Sequence, residues 1–180
     1  MTTIVGYGSL MIPESLQKTI SPRPFRAIWV RDYKRIFNLK TKMLRFYKVS
    51  EQSNQVAILN VEFEPGSRLN AAAFDVDEGE LEKLKIREKN YYAKEVPTFD
   101  FETEKSVGKA VLFIGNKFAH GERIVSNDYL PVPSYMQRCR DAAYAIGKRF
   151  GRLFDQTTFL GGGTLLEEYL SSGELHRETD

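Results

Sequence analysis

Ile4-Val5-Gly6-Tyr7-Gly8-Ser9-Leu10-Met11 is a short apolar strand that runs straight into a turn flanked by glycines. Gly6 and Gly8 lack a Cβ, so both are free to take positive φ and to turn successive N–H groups into one concavity, a nest for a carboxylate or phosphate. Ser9 adds a hydroxyl donor and Tyr7 an aromatic wall with a polar tip. The same residues also suit an ordinary strand-ending turn in which Ser9 satisfies a local N–H. The spacing is not that of a dinucleotide fingerprint, and no Gly-Lys-Ser follows, so neither dinucleotide nor P-loop binding gains support.

Outward from that turn, the 180 residues are enough for one domain with a sizeable core. We expect a single domain over residues 1–173 and a mobile tail over residues 174–180. Hydrophobic residues make up 42%, aromatics 12% and charged residues 28%, the balance of a soluble globular protein. No apolar run approaches the roughly 20 residues that span a bilayer, and the N-terminus carries no signal segment, so the expected location is cytoplasmic. Cys139 is the single cysteine and cannot form an internal disulfide, in keeping with a reducing compartment. With His120 and His176 as the other candidates, a zinc site or a His-activated nucleophile has little to be built from. Carboxylates, hydroxyls and backbone must carry any chemistry, and no cofactor is expected.

The net charge of +2 hides an asymmetry. Residues 1–50 hold ten Lys and Arg against Glu14 and Asp32, a net +8, which leaves the remainder at −6. Nucleic acid is one possible partner for the basic half. Because the basic residues alternate with strand-type apolar ones, as on the solvated face of a sheet, an acidic small substrate is the better reading.

Propensity and punctuation give the remaining elements. Residues 3–7 read as a strand and residues 13–19 as a helical turn opened by Pro13. Residues 25–49 read as two or three strands broken near Asp32 and Thr41. Residues 56–63 form another, closed by the turn Glu64-Pro65-Gly66-Ser67, and residues 70–76 a further one, small enough at Ala71-Ala72-Ala73 for close approach. A helix over residues 77–89 starts at a capping box of Asp77 and Glu80. At 100° per residue, Glu88 and Tyr92 share the apolar stripe of Leu81 and Leu84. A carboxylate there is either a partly buried proton-transfer group with a raised pKa, or one that escapes by fraying or by pairing with Lys85. Residues 91–101 and 107–114 read as strands and residues 115–128 as a polar loop. The longest helix spans residues 134–150, with Ser134 and Gln137 as capping box, Cys139 as a buried inert residue on its apolar stripe, and Gly151 as its stop. Residues 158–164 read as a glycine-rich loop and residues 165–170 as a last short helix.

Taken together, Val5 to Leu10, then Arg87-Glu88-Lys89-Asn90-Tyr91 after a helix, then Pro133-Ser134-Tyr135 opening a Cys-containing helix, resemble the γ-glutamylcyclotransferase family. The likeness extends through Asn60-Val61, Glu64 to Ser67, Ala73 to Val76, Thr157 to Leu160 and Tyr169-Leu170, nearly the whole chain. It implies an α+β fold in which a small, mostly antiparallel, barrel-like sheet is flanked by helices, with a pocket at the end of the first strand. It implies Glu88 as the catalytic acid/base, Tyr7, Gly8, Ser9 and Leu10 as the loop that holds a γ-glutamyl group, and Tyr91 and Tyr135 as lining residues. Lys89 and Ala72 stand where the family often has glycine, and Gly161-Gly162 where it has a small-acidic pair. The implied reaction closes a γ-glutamyl amide to 5-oxoproline and releases the amine, without metal or cofactor. A non-catalytic γ-glutamyl-binding module on the same fold is the alternative.

Overall fold

The computed structural model describes residues 1–21, 23–50 and 52–173. The expected mobile tail, residues 174–180, lies outside them. Five strands close on themselves: β1 (Thr2–Gly6), β2 (Arg26–Lys40), β3 (Ala57–Val76), β4 (Tyr91–Asp100) and β5 (Ser106–Gly115), in the cyclic order β3-β1-β5-β4-β2, with β2 pairing back onto β3. All neighbours are antiparallel except β1 and β5, which run parallel through Ile4 opposite Val111 and Val5 opposite Leu112. Closure removes the exposed edges that an open sheet of this size would carry. The result is an α+β fold, a mixed and mostly antiparallel barrel-like sheet with helices around it.

β2 and β3 are longer than their sequences suggest. The break expected near Asp32 and the turn expected at Glu64-Pro65-Gly66-Ser67 are two sides of one bulge within continuous strands of 15 and 20 residues. Register jumps from Arg31 opposite Arg68 to Tyr33 opposite Phe63, so Asp32 alone faces residues 64–67. Asp32 and Gly66 both take positive φ, +62° and +85°, and the Gly66 N–H donates to Asp32 Oδ1 at 3.0 Å. Proline and glycine here bend a strand pair and do not reverse the chain.

The helices cover two faces. α1 (Pro13–Leu16) and α2 (Glu78–Arg87) close a small core of Ile4, Leu10, Leu16, Ile20, Phe74, Val76, Leu84 and Phe113. The capping box of α2 forms as expected: Asp77 Oδ1 accepts from the Glu80 N–H at 2.8 Å, and Glu80 Oε2 accepts from the Asp77 N–H at 3.1 Å. On the other face, α3 (Pro133–Ile146) and α4 (Lys148–Thr157) pack Tyr135, Met136, Cys139, Ala143, Phe150 and Phe154 against Trp29, Phe37 and Leu69. The single helix expected over residues 134–150 is therefore two helices. It breaks at Gly147, and no side chain caps its start. Gly151 lies inside α4 and is not a stop: a Cβ there would meet the Tyr144 ring at 2.4 Å, so this glycine permits helix contact. The polar loop after β5 contains a hairpin, β6 (Phe118–Ala119) with β7 (Glu122–Arg123). In the stretch expected to be a glycine loop, β8 (Thr158–Leu160) adds to β2 in parallel before α5 (Leu166–Ser171) ends the described chain. Among the described residues no helix is long and apolar enough to cross a membrane.

Candidate active site

The N-terminal turn, the exit of α2 and the start of α3 converge on one cleft. β1 delivers Tyr7 and Gly8 to a single 3-10 turn, Ser9–Met11, where Met11 and Ile12 donate back to the Gly8 and Ser9 carbonyls at 2.9 and 3.2 Å. The N–H groups that head such a turn have no acceptor within it. Neither Gly6 nor Gly8 takes positive φ, contrary to the expectation from sequence. Their missing Cβ atoms matter for contact instead. A Cβ on Gly6 would sit 3.1 Å from the Leu10 backbone, and one on Gly8 would sit 2.8 Å from Tyr135 Oη. Gly8 is the position that lets the α3 tyrosine reach the turn.

All seven site residues expected from sequence, Tyr7, Gly8, Ser9, Leu10, Glu88, Tyr91 and Tyr135, line this cleft, together with Leu59 and Phe113. Its open space is about 260 Å³, counting the mouth. Leu59 and Phe113 were not anticipated; Leu59 belongs to the main core and Phe113 to the small core under α1 and α2, and only the closed sheet brings the two together at the cleft.

Glu88 reaches the cleft by a route other than the one periodicity suggests. α2 ends at Arg87 and Glu88 is its C-cap, with its N–H on the Leu84 carbonyl at 2.8 Å and its own carbonyl accepting from the Tyr91 N–H at 2.8 Å. Tyr92, placed on the same stripe by sequence, lies in β4 and is exposed. Lys85 does not pair with Glu88 either; it bonds Glu82. The partner is Arg87, whose Nε donates to Glu88 Oε1 at 2.9 Å. Only 11% of the Glu88 side chain is exposed. Burial pushes its pKa above the ordinary carboxylate value, with the Arg87 charge and hydrogen bond opposing that rise. Among the described residues Oε2 has no hydrogen-bond partner.

The three tyrosines form walls, and two of them are held by their hydroxyls. Tyr7 donates to the Phe113 carbonyl at 2.7 Å and Tyr91 to the Leu59 carbonyl at 3.2 Å. Tyr135 is flanked edge-on by Phe37 and by Tyr47, a residue of the segment between β2 and β3 that sequence reading gave no role. Burial pushes all three phenols well above their usual value, and the Glu88 carboxylate adds to this at Tyr7 and Tyr91. They stay neutral. Cys139 is buried as expected, and burial pushes its thiol up to about 12, which leaves it unreactive.

Arg87, to which the sequence assigned no role, binds more than Glu88. Beyond Glu88, its guanidinium donates to the Ser15 carbonyl at 2.8 Å, Ser15 Oγ at 3.0 Å, Ser9 Oγ at 3.2 Å and Thr19 Oγ1 at 3.3 Å. Five of the ten basic residues in the N-terminal half are paired or buried. Arg23 pairs with Glu80, Arg26 with Asp75, Arg31 with Glu104 and Lys34 with Glu64, while Arg35 is wholly buried.

No protein-family model and no curated protein matches the sequence. Solved structures do match the fold. A γ-glutamyl cyclotransferase superposes with a TM-score of 0.61 at 15% identity, covering 96% of this chain and 99% of its own. An uncharacterized human protein, loc79017, gives 0.60 at 17% identity over 84% and 85%. A yeast γ-glutamyl cyclotransferase specific to glutathione gives 0.57 at 11% identity over 78% and 86%. At these identities the likeness is one of fold, and the chain has the γ-glutamylcyclotransferase-like fold.

Proposed function

We propose that the cleft cyclises a γ-glutamyl amide or peptide to 5-oxoproline and releases the amine, with Glu88 as base and then acid. The observation that carries this reading is the Glu88 carboxylate: almost buried, lining the cleft together with the Tyr7–Leu10 turn, and bonded among the described residues through Oε1 alone. Glu88 takes a proton from the substrate's α-ammonium. The freed amine attacks the γ-carbonyl carbon, and the oxyanion that forms is met by N–H groups of the turn and the Ser9 hydroxyl. As the bond from that carbon to the leaving nitrogen breaks, protonated Glu88 gives its proton to that nitrogen, and the carboxylate then takes the second proton from the ring nitrogen and passes it to the departing amine, which leaves as its ammonium. The lactam C–N bond replaces the old one, so no water is consumed.

Two physical effects share the acceleration. Folding the substrate so that its own amine faces its carbonyl exploits effective molarities on the order of 10⁵ M or more. A correctly placed general acid/base adds about 10²- to 10⁴-fold, and a carboxylate with an elevated pKa suits that task near neutral pH. Neutral Tyr7, Tyr91 and Tyr135 supply an apolar lining that keeps bulk water from the reacting atoms.

The test is incubation of the purified protein with a panel of γ-glutamyl peptides, amino acids and amines, followed by mass spectrometry for 5-oxoproline. Release of 5-oxoproline together with the free amine from at least one member is the expected result. Binding without release across the panel would overturn the enzymatic reading in favour of a γ-glutamyl-binding module.

A further inference from the structure

The exit of α2 holds two ionisable residues in sequence, and the mechanism above uses one of them. Arg87 is only 19% exposed, and its guanidinium makes five hydrogen bonds to four residues. Nε holds Glu88 Oε1, while Nη2 reaches Ser9 Oγ in the turn across the cleft. The remaining bonds, to Ser15 and Thr19, fix the guanidinium to α1 and the chain just after it.

We infer that Arg87 is the positioning residue of this site, a planar fork that presents the free oxygen of Glu88 and the hydroxyl proton of Ser9 to the same ligand. The inference rests on the reading of Glu88 as acid/base. With Oε1 occupied, the carboxylate cannot rotate its two oxygens freely, and Oε2 becomes the proton-transfer atom. At Ser9, Arg87 occupies an oxygen lone pair, and an arginine has no acceptor to offer in return. The Ser9 proton must therefore point elsewhere, and no described residue takes it. A hydroxyl polarised in this way donates more strongly, which suits a carboxylate or a developing oxyanion. Lysine cannot replace this fork, because its ammonium is a point charge on a flexible stem.

The groups facing Glu88 are Arg87 from its own element, Tyr7 from beyond β1 and Tyr91 from β4, and the two phenols are neutral. Arg87 is thus the cation whose removal Glu88 registers. The experiment is a ¹³C titration of the Glu88 carboxyl, assigned by its absence in Glu88→Gln, in the wild type and in Arg87→Gln and Arg87→Lys. Arg87→Gln is expected to move the titration upward by roughly one unit, as loss of a nearby opposite charge does. The acid limb of kcat/KM should move with it. Arg87→Lys, which retains the charge and loses the fork, should leave the titration near its wild-type place yet lower kcat by roughly 10-fold or more, as displacement of catalytic groups does. If Arg87 merely ties α2 to α1, Arg87→Gln still moves the titration through its lost charge, but Arg87→Lys lowers the melting temperature and leaves kcat unmoved, and the inference is wrong. Should Arg87→Gln fail to fold, wild-type kcat in Arg87→Lys overturns it alone. The titration needs no turnover, so a failure of the cyclisation reading, seen as full activity in Glu88→Gln, is distinguishable from a failure here.

Discussion

Glu88 and Arg35 are both charged residues taken largely out of water, and they are treated in opposite ways. Arg35 is completely buried where β2 meets β8 and α4. It donates to Thr158 Oγ1 at 2.7 Å, the Asn70 carbonyl at 2.8 Å, Asn70 Oδ1 at 3.0 Å, Thr157 Oγ1 at 3.1 Å and the Phe154 carbonyl at 3.3 Å. Its guanidinium also lies over the Phe154 ring at 3.8 Å. Burial pulls its pKa down to about 9, which still leaves it charged at neutral pH. Glu88 has one charged partner and, among the described residues, nothing bonded to its other oxygen. A saturated ion is a rivet, whereas a half-saturated one beside a cleft retains bonding capacity for a ligand.

That contrast is breakable. Arg35→Ala strips partners from Asn70 and Thr157 and leaves a hole, so we expect about 3–5 kcal/mol of lost stability. Thermal unfolding should show a fall on the order of 10 °C, and a loss of only 1–2 °C would mean that Arg35 is no rivet. Glu88→Gln is the mirror experiment: kcat should drop by roughly 10²-fold or more with KM little changed. The same change at Glu82, exposed on α2, should leave turnover near normal. Most of its activity surviving in Glu88→Gln would remove this carboxylate from the chemistry.

The smallest effect sharpens the comparison most. Because the folded-state pKa of Glu88 is raised, the folded protein binds more protons than the unfolded chain between the ordinary carboxylate value and the raised one. Stability therefore falls as pH rises through that window, and above it ionised Glu88 carries a standing cost. Glutamine never ionises. Glu88→Gln should melt no lower than the wild type at about pH 7.5 and lose any advantage by about pH 4, where both side chains are neutral. A variant clearly less stable at the higher pH would show that Arg87 over-compensates the burial.

What was legible in the sequence is what short-range chemistry decides. The Asp77–Glu80 capping box, the glycine-flanked turn and the strands on either side of residues 101–105 need only their own neighbours. Glu64-Pro65-Gly66-Ser67 misled because its punctuation is the same for a reversal and for a bulge, and the choice was made by pairing with Asp32. Gly151 misled for a similar reason, since its partner Tyr144 belongs to another helix. Glu88 is largely buried for a reason other than the one its spacing suggested: it is the C-cap of α2 and bonds Arg87, and does not sit on the stripe of a continuing helix. The contacts of Arg35 and Arg87 were invisible, because their partners lie far away along the chain, at Thr158 for one and at Ser9 and Ser15 for the other.

The way α2 is pinned at both ends also constrains how this chain can change over generations. Its start is locked by Asp77 and Glu80, and its end by the Glu88 cap and the Arg87 contacts. One residue inserted or deleted between them would swing Glu88 by about 100° and shift it by about 1.5 Å, out of the cleft. Exposed positions such as Glu82, Lys83, Lys85 and Ile86 are free to drift among helix formers. Substitutions should thus accumulate across α2 while gaps are purged, and Asp77 and Glu88 should keep a fixed separation in any descendant that retains the proposed chemistry.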